Sequence, residues 1–487
     1  MKPFSLTFAF LIFFLFAAAQ PALSASTDDD RGQRLWLKDQ QTYREKSGVA
    51  PDDDQSLLAE PLSLSLEGKT YQLGNNAQDL GLAIYLAVNH RQFRDAERLM
   101  PLYSHLPDHD PLLVLFARAE IARGGGNYTQ AIAFYRQILT RSPDFLRVRL
   151  ELARALYQDN QNREARALFE RILSENGAEL PAGTIATIRQ FTGAMDSRTG
   201  WTGSLALGYG YNSNVSQLPD RDTPWLSGGR PWKRDAPSDS GDINWDASLS
   251  RLVPLYGHHS LLIKGTFWGD RYPNHGEFSE NTSRLALQYQ FRNARSSLAV
   301  GPLGELKVSA EKPLYTGTGV KLDAEHSFTP RLMFSLSANG QKLSYKKPYD
   351  SANGHRENLY LTGIYGLTPQ TSLFAGVDGT RVTTRVRSDD YYQTGLRAGV
   401  FSALTPDVNL LVMTTLRYSR FGEYNVFIGN ERRDRQQMYM ARLSAPGWTL
   451  LSFSPFVSYR YRINHSSADG LYSFRQHEVI TGFETRF

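Results

Sequence analysis

The spacing of apolar positions along this chain changes once, at Trp201. From Ala77 to about Phe191 apolar residues recur at helical intervals, and from Trp201 to Phe487 they alternate with polar ones. The helical stretch repeats itself every 34 residues: Ala131, Tyr135, Ile138 and Pro143 recur as Ala165, Phe169, Ile172 and Gly177. Ala119 and Ala122 recur as Ala153 and Leu156. A small residue, an aromatic, an aliphatic and a helix breaker at this period form the tetratricopeptide pattern. The small residue lets paired helices approach, and the aromatic fills the space beside it. A looser unit precedes these, around Ala96, Met100, Tyr103 and Pro107. Stacked units of this kind build a short solenoid with a concave, peptide- or protein-binding face. In this register Phe116, Glu120, Arg123, Arg147, Arg154 and Tyr157 face the groove and form the expected cargo-binding set.

The alternating part predicts strands with one face for lipid and one for water. In Arg284 to Arg292, Leu285, Leu287, Tyr289 and Phe291 alternate with Arg284, Gln288, Gln290 and Arg292. In Leu410 to Tyr418, Leu410, Val412, Leu416 and Tyr418 alternate with Thr415 and Arg417. A strand read over Leu451 to Ile463 turns Val457, Tyr459 and Tyr461 outward and Ser458, Arg460 and Arg462 inward. About 14 strands fit, each near the ~10 residues of a tilted membrane span. Their joints alternate in length. The longer ones are 215–240, 270–277, 346–356, 421–433 and 464–472. The short ones are Tyr256-Gly257-His258, Asn293-Ala294-Arg295, Thr329-Pro330-Arg331, Thr368-Pro369-Gln370, Thr405-Pro406-Asp407 and Pro446-Gly447. The third outer joint, near Lys312-Pro313-Leu314-Tyr315, is short as well. Short turns face the periplasm and longer loops face outward, so this parity puts the helical repeats in the periplasm. The last strand ends on Phe487, the terminal aromatic expected of barrels handed to the insertion machinery.

The expected fold is therefore α plus transmembrane β: N-terminal tetratricopeptide-like repeats, then an outer-membrane β-barrel of about 14 antiparallel strands. Ahead of the repeats, Lys2, the apolar run Phe4 to Ala19 and the small residues Ala22, Ser24 and Ala25 read as a signal peptide over 1–25. Residues 26–76 read as an acidic, irregular linker. Its clusters Asp28-Asp29-Asp30 and Asp52-Asp53-Asp54 lack calcium-ligand spacing. The repeat domain spans 77–195, a hydrophilic hinge lies at Asp196-Ser197-Arg198, and the barrel spans 200–487.

Composition sharpens this picture in four places. At 41% hydrophobic the chain is too polar for a helical membrane protein, but a barrel hides its apolar face by alternation. The 25 Tyr and 26 Phe are enough for aromatic girdles at the membrane interfaces. With no cysteine the chain is not itself a lipoprotein and has no thiolate metal site. A net charge of +5 without a compact Lys/Arg run gives no reason to expect nucleic acid.

Catalytic motifs are missing: there is no HExxH, no phosphate loop and no Gly-x-Ser-x-Gly elbow. Neither a cofactor nor a metal is expected. His258-His259 reads as a turn at the membrane interface. Arg284, Arg397, Arg417, Arg460, Arg462 and Arg486 fall on inward faces and form the expected lumen lining. Two roles are open to them: lining a conduit for acidic partners, or pairing with lumenal carboxylates such as Glu484.

The first barrel strand continues into Gly210-Tyr211-Asn212-Ser213-Asn214-Val215. Near the end stand Arg432-Arg433-Asp434, Pro455, Tyr459-Arg460-Tyr461, Asn464 to Ser466 and Leu471-Tyr472-Ser473. On these motifs and the two-part architecture, the chain from about residue 77 resembles the surface lipoprotein assembly modulators, outer-membrane components of type XI secretion. The resemblance implies export or surface display of a partner protein, either a lipoprotein or a soluble haem- or metal-acquisition protein. It also implies handling by periplasmic chaperones and the barrel-insertion machinery, in outer-membrane lipid. An exopolysaccharide exporter is the main alternative, though such exporters carry more repeats. A diffusion porin needs no periplasmic solenoid, and a host-contact role through surface loops is compatible with export.

Overall fold

A computed structural model describes Arg31 and residues 76–219, 226–227, 230–231, 237–425 and 428–487. The signal peptide and, apart from Arg31, the acidic linker lie outside the described residues. Seven helices occupy residues 77–199: α1 (Ala77–Asn89), α2 (Phe93–Ser104), α3 (Pro111–Gly124), α4 (Tyr128–Arg141), α5 (Leu146–Gln158), α6 (Asn162–Asn176) and α7 (Ala182–Thr199). The helix starts carry their own stop and start chemistry. Asn76 and Asp110 accept from Asp79 N and Leu112 N, each at 2.8 Å, and Pro111 sits where its missing N–H costs nothing.

The helices pair as α1–α2, α3–α4 and α5–α6, and α7 closes the stack on α6. The repeated positions make the core: Ala119, Ala131, Tyr135, Ile138, Ala153, Ala165, Phe169 and Ile172 are all fully buried. The looser first unit joins them through Ala96 and Tyr103. Each hairpin turn uses one left-handed residue: Arg91 (φ 55°), Gly126 (φ 73°) and Asn160 (φ 60°). α7 stacks Phe191 on Phe169 and turns it edge-on to Tyr157. The polar triplet at 196–198 is not a hinge. It lies inside α7, where Asp196 pairs with Arg166 and Arg198 lies 3.8 Å over the Tyr157 ring. These polar side chains tether the helix, and Gly200 alone separates it from the barrel.

Fourteen antiparallel strands form a closed barrel. They are β1 (Trp201–Asn212), β2 (Ser240–Tyr256), β3 (His259–Arg271), β4 (Glu280–Arg292), β5 (Ser296–Ser309), β6 (Lys312–Thr329) and β7 (Leu332–Tyr345). They continue as β8 (Gly354–Gly366), β9 (Thr371–Thr383), β10 (Tyr391–Thr405), β11 (Val408–Phe421), β12 (Arg433–Ser444), β13 (Ser454–Ser466) and β14 (Phe474–Arg486). β14 closes on β1, and Phe487 exchanges backbone hydrogen bonds with Gly203, so the terminal aromatic completes the seam.

Joint parity holds around the ring, with two local differences. The third outer joint is Ala310-Glu311, both left-handed, while Lys312 to Tyr315 already belong to β6. Leu451 is not in a strand: β13 begins at Ser454, and the joint before it spans 445–453. Its apolar residues imitate strand alternation. They are in fact interface anchors, with Trp448, Leu450 and Leu451 65%, 69% and 88% exposed.

The barrel's outer face carries a leucine- and valine-rich band between two aromatic girdles. Trp201, Tyr256, Tyr289, Phe328, Tyr365 and Trp448 mark the rim nearest the helices, and Tyr209, Tyr211, Phe267, Tyr392 and Tyr418 the far rim. Leu285, Leu361, Leu396, Leu416 and Val457 lie exposed between them. This is the surface of a sheet solvated by lipid.

Candidate functional site

The first helix of each pair contributes to one polar face. Tyr85 and Asn89 come from α1, Phe116, Glu120 and Arg123 from α3, and Arg147, Glu151, Arg154 and Tyr157 from α5. Glu120 pairs with Arg123 at 2.6 Å and accepts from the Tyr135 hydroxyl at 2.5 Å. Glu151 stands between Arg154 at 3.6 Å and Arg123 at 3.9 Å. Burial and the neighbouring Glu120 push the Glu151 carboxyl above its usual range, against the pull of Arg123, Arg154 and Arg147. Burial raises the Tyr135 hydroxyl too, with Glu120 adding to the effect. Of the six residues expected in the groove, Phe116, Glu120, Arg123, Arg154 and Tyr157 are buried and Arg147 is half-buried. Arg147 donates to Tyr85 and Asn89 and lies 5.2 Å over the Phe116 ring. The six are thus brought together, three cations against Glu120 and Glu151.

The lumen is organised by ion pairs between strands one to three places apart around the barrel. Arg284 and Arg356 both hold Glu305, which also accepts from the Tyr315 hydroxyl at 2.6 Å. Asp378 on β9 meets Arg397 of β10 at 3.1 Å and Arg417 of β11 at 3.2 Å. Gly395 lies between these partners; a Cβ there would come within 2.4 Å of the Asp378 carboxylate. Arg460 pairs with Glu478, and Arg462 adds its charge beside the same carboxylate. Arg442 pairs with Glu484, and Arg486 follows on the same inward face. Every Arg of the expected lining occupies an inward register position, with Tyr459 and Val457 turned out between them. Carboxylates face these cations, so the lumen's charge is largely matched strand by strand.

A third set of contacts seats the helices on the barrel. Asp159, 2% exposed, accepts from His258 at 2.8 Å, from Gln161 at 3.0 Å and from the Ala294 N–H at 3.4 Å. The left-handed Asn160 donates to the Asn293 carbonyl at 3.0 Å. One repeat earlier, Arg295 donates to the Gly125 carbonyl at the end of α3, where a cation suits the helix dipole. Arg163 reaches the Leu255 carbonyl at 2.7 Å. Two equivalent hairpin turns of the solenoid therefore dock on the short barrel turns at 257–258 and 293–295.

Residues 201–487 match the family model described as surface lipoprotein assembly modifier, and residues 66–169 match the model for that family's N-terminal tetratricopeptide repeats. This chain belongs to the surface lipoprotein assembly modifier family. A hemophilin secretion modulator of Acinetobacter baumannii is 27% identical over 441 residues, covering 87% of this chain and 89% of that protein. A surface lipoprotein assembly modifier of Pasteurella multocida is 27% identical over 359 residues, covering 71% and 68%. Surface lipoprotein assembly modifier 1 of Neisseria meningitidis serogroup B is 23% identical over 383 residues, covering 77% and 75%. As a member of this family, the chain is an outer-membrane barrel with its repeats in the periplasm, so the docked rim is the periplasmic one.

Sequence reasoning missed Asp159, Asn160, Gln161, His258, Asn293 and Arg295 as parts of a joint between the domains. Spacing does hold one signal for them. The left-handed positions 126 and 160 stand one 34-residue repeat apart, so the two turns project alike. Their partners come from turns 99 to 170 residues away in sequence, which no local pattern reveals.

Proposed function

We propose that this chain exports or surface-displays a partner protein, taking it from the periplasm through its barrel to the cell surface. The carrying observation is the seat of the repeats. A protein-binding solenoid is fixed by polar contacts to one sector of the lumen's periplasmic rim, where an arriving chain has to enter. The relatives are named for surface lipoproteins and for hemophilin, which points to a lipoprotein or a soluble haem-binding protein as cargo. The face bearing Arg147, Tyr85 and Asn89 is the docking patch in this reading, and Arg154 and Arg123 stiffen it from behind through Glu151. Inward Arg residues, matched by carboxylates, give the conduit a polar wall without a strong excess of either sign. Periplasmic chaperones deliver the chain to the insertion machinery, and cargo folding outside supplies the drive. The reading assigns the chain no catalytic step.

The test follows epitope-tagged lipoproteins and soluble haem-binding proteins of the same host on intact cells. Three versions of this chain are compared: full length, lacking residues 77–190, and Arg147→Glu. Docking requires a folded barrel in all three, seen by heat-modifiable mobility, with display lost in the truncation and reduced in Arg147→Glu. Normal display from the truncated chain would refute the reading.

A further inference from the structure

The outer end of the lumen gathers carboxylates from strands that flank the seam. Asp242 on β2, Asp270 on β3 and Glu478 on β14 each place an oxygen within 4.8 Å of the others. β1 runs between them and contributes no side chain at Gly210, where a Cβ would stand 2.5 Å from Asp242 Oδ1. Asp242 is fully buried, and its Oδ1 has no hydrogen-bond partner among the described residues. An ionised carboxylate so placed needs cations at hand, because a buried charge left without a partner is strongly unfavourable. Arg460 supplies one through Glu478. The other is Arg31, whose Nη2 donates to Asp270 Oδ1 at 2.6 Å, with both side chains largely buried. Asp246 and Glu478 also lie within its electrostatic reach.

Arg31 precedes the repeat domain in sequence yet sits at the opposite end of the barrel from it. Asp270 is one residue from the outer end of β3, whereas the repeats hold the turns at 257–258 and 293–295. From this we infer that the outer lumen contains a guanidinium-binding site, filled by the chain's own Arg31, which holds the lumen closed outward at rest. A planar guanidinium with several donors suits a set of convergent carboxylates better than a point charge does. The site itself follows from the contacts above; that Arg31 must leave for export rests on the translocator reading. Once it leaves, Asp242 and Asp270 lose that cation, and a basic side chain of the passing cargo takes its place.

The absence of cysteine makes the contact directly testable in the full chain, in the outer membrane of intact cells. R31C with D270C should be joined by a reducible bis-methanethiosulfonate cross-linker about as long as an arginine side chain, read as altered mobility of the unreduced chain. R31C with S297C, an inward position near the periplasmic rim, should not. The linked chain should lose display of its cargo and regain it on reduction. In planar bilayers the purified Arg31→Ala chain should conduct more than the unaltered one, a readout that does not depend on cargo. Heat-modifiable mobility confirms that each variant folds. Failure of the first pair to link, or linkage to S297C instead, overturns the site. If EDTA raises the conductance of the unaltered chain while Arg31→Ala does not, a divalent cation holds the carboxylates and the assignment falls. A linked chain that still displays cargo overturns the closure alone. A host whose surface proteins never depend on this chain refutes the translocator reading and leaves the site standing.

Discussion

The two halves of this molecule solve burial in opposite senses. In the helical repeats Tyr135, Phe169 and Ile138 are fully buried, whereas in the barrel Tyr459, Leu416 and Val457 are turned out and Arg417 and Gln288 are in. Yet both halves bury arginine by the same device. Arg123 and Arg154 flank Glu151 in the repeats, and Arg397 and Arg417 flank Asp378 in the barrel. The solvent outside decides which apolar side chains go where. Charges inside obey one rule in either case, each buried guanidinium set against a carboxylate. The difference lies in reach. Helical pairs come from residues three apart or, for Arg123 with Glu151, 28 apart, and the Arg–carboxylate pairs of the lumen join strands one to three places apart around the ring, over 18 to 51 residues of sequence.

The sharpest test of that common rule is Asp378→Asn, which leaves two buried guanidinium groups facing a neutral amide. A loss of ~3–5 kcal/mol is expected, measured by urea unfolding of the barrel in lipid vesicles. An unchanged midpoint would show that lumenal water solvates these arginines. The inside-out arrangement itself is tested by charge on the lipid face. Tyr461→Arg, near mid-membrane on β13, should cost ~2–4 kcal/mol in the same assay. Arg462→Ser, one position on and inward, should cost less, and equal losses would contradict the register.

Smaller effects are expected where the halves meet. Asp159→Ala leaves His258 and the Ala294 N–H without their acceptor and should weaken docking by ~1–3 kcal/mol. The barrel should keep its heat-modifiable mobility while the repeats become more sensitive to protease; a simultaneous loss of the barrel would make the contact a folding requirement. The smallest perturbation probes sidedness alone. A cysteine at Arg387, in an outer loop, should react with an impermeant maleimide on intact cells, and one at Gln370 should not. The reverse pattern would put the repeats outside.

Much of this architecture was legible because it is written in short-range spacing. The 34-residue recurrence of Ala131 and Tyr135 located the helical core, and alternation with joint parity located fourteen strands and their sidedness. Reading failed where neighbours in sequence are not neighbours in space. Asp196 and Arg198 looked like a hydrophilic hinge because their partners, Arg166 and Tyr157, lie more than 25 residues away. Leu451 and Phe453 looked like a strand because interface anchors and lipid-facing positions share one composition. Helical phase alone places the members of the groove set on one face. It did not show that Glu151 would tie Arg123 and Arg154 together, nor that an arginine from ahead of the repeats would meet Asp270.

The central claim is that this chain moves a partner protein to the cell surface, and one measurement bears on it most directly. The gene is deleted in its native host and restored on a plasmid, and proteins on intact cells and in the medium are quantified by mass spectrometry after surface labelling. The account predicts that one or a few lipoproteins or soluble haem-binding proteins leave the surface or medium on deletion, accumulate in the periplasm, and return on complementation. An unchanged set of surface and secreted proteins, with a loss of extracellular polysaccharide instead, would contradict it.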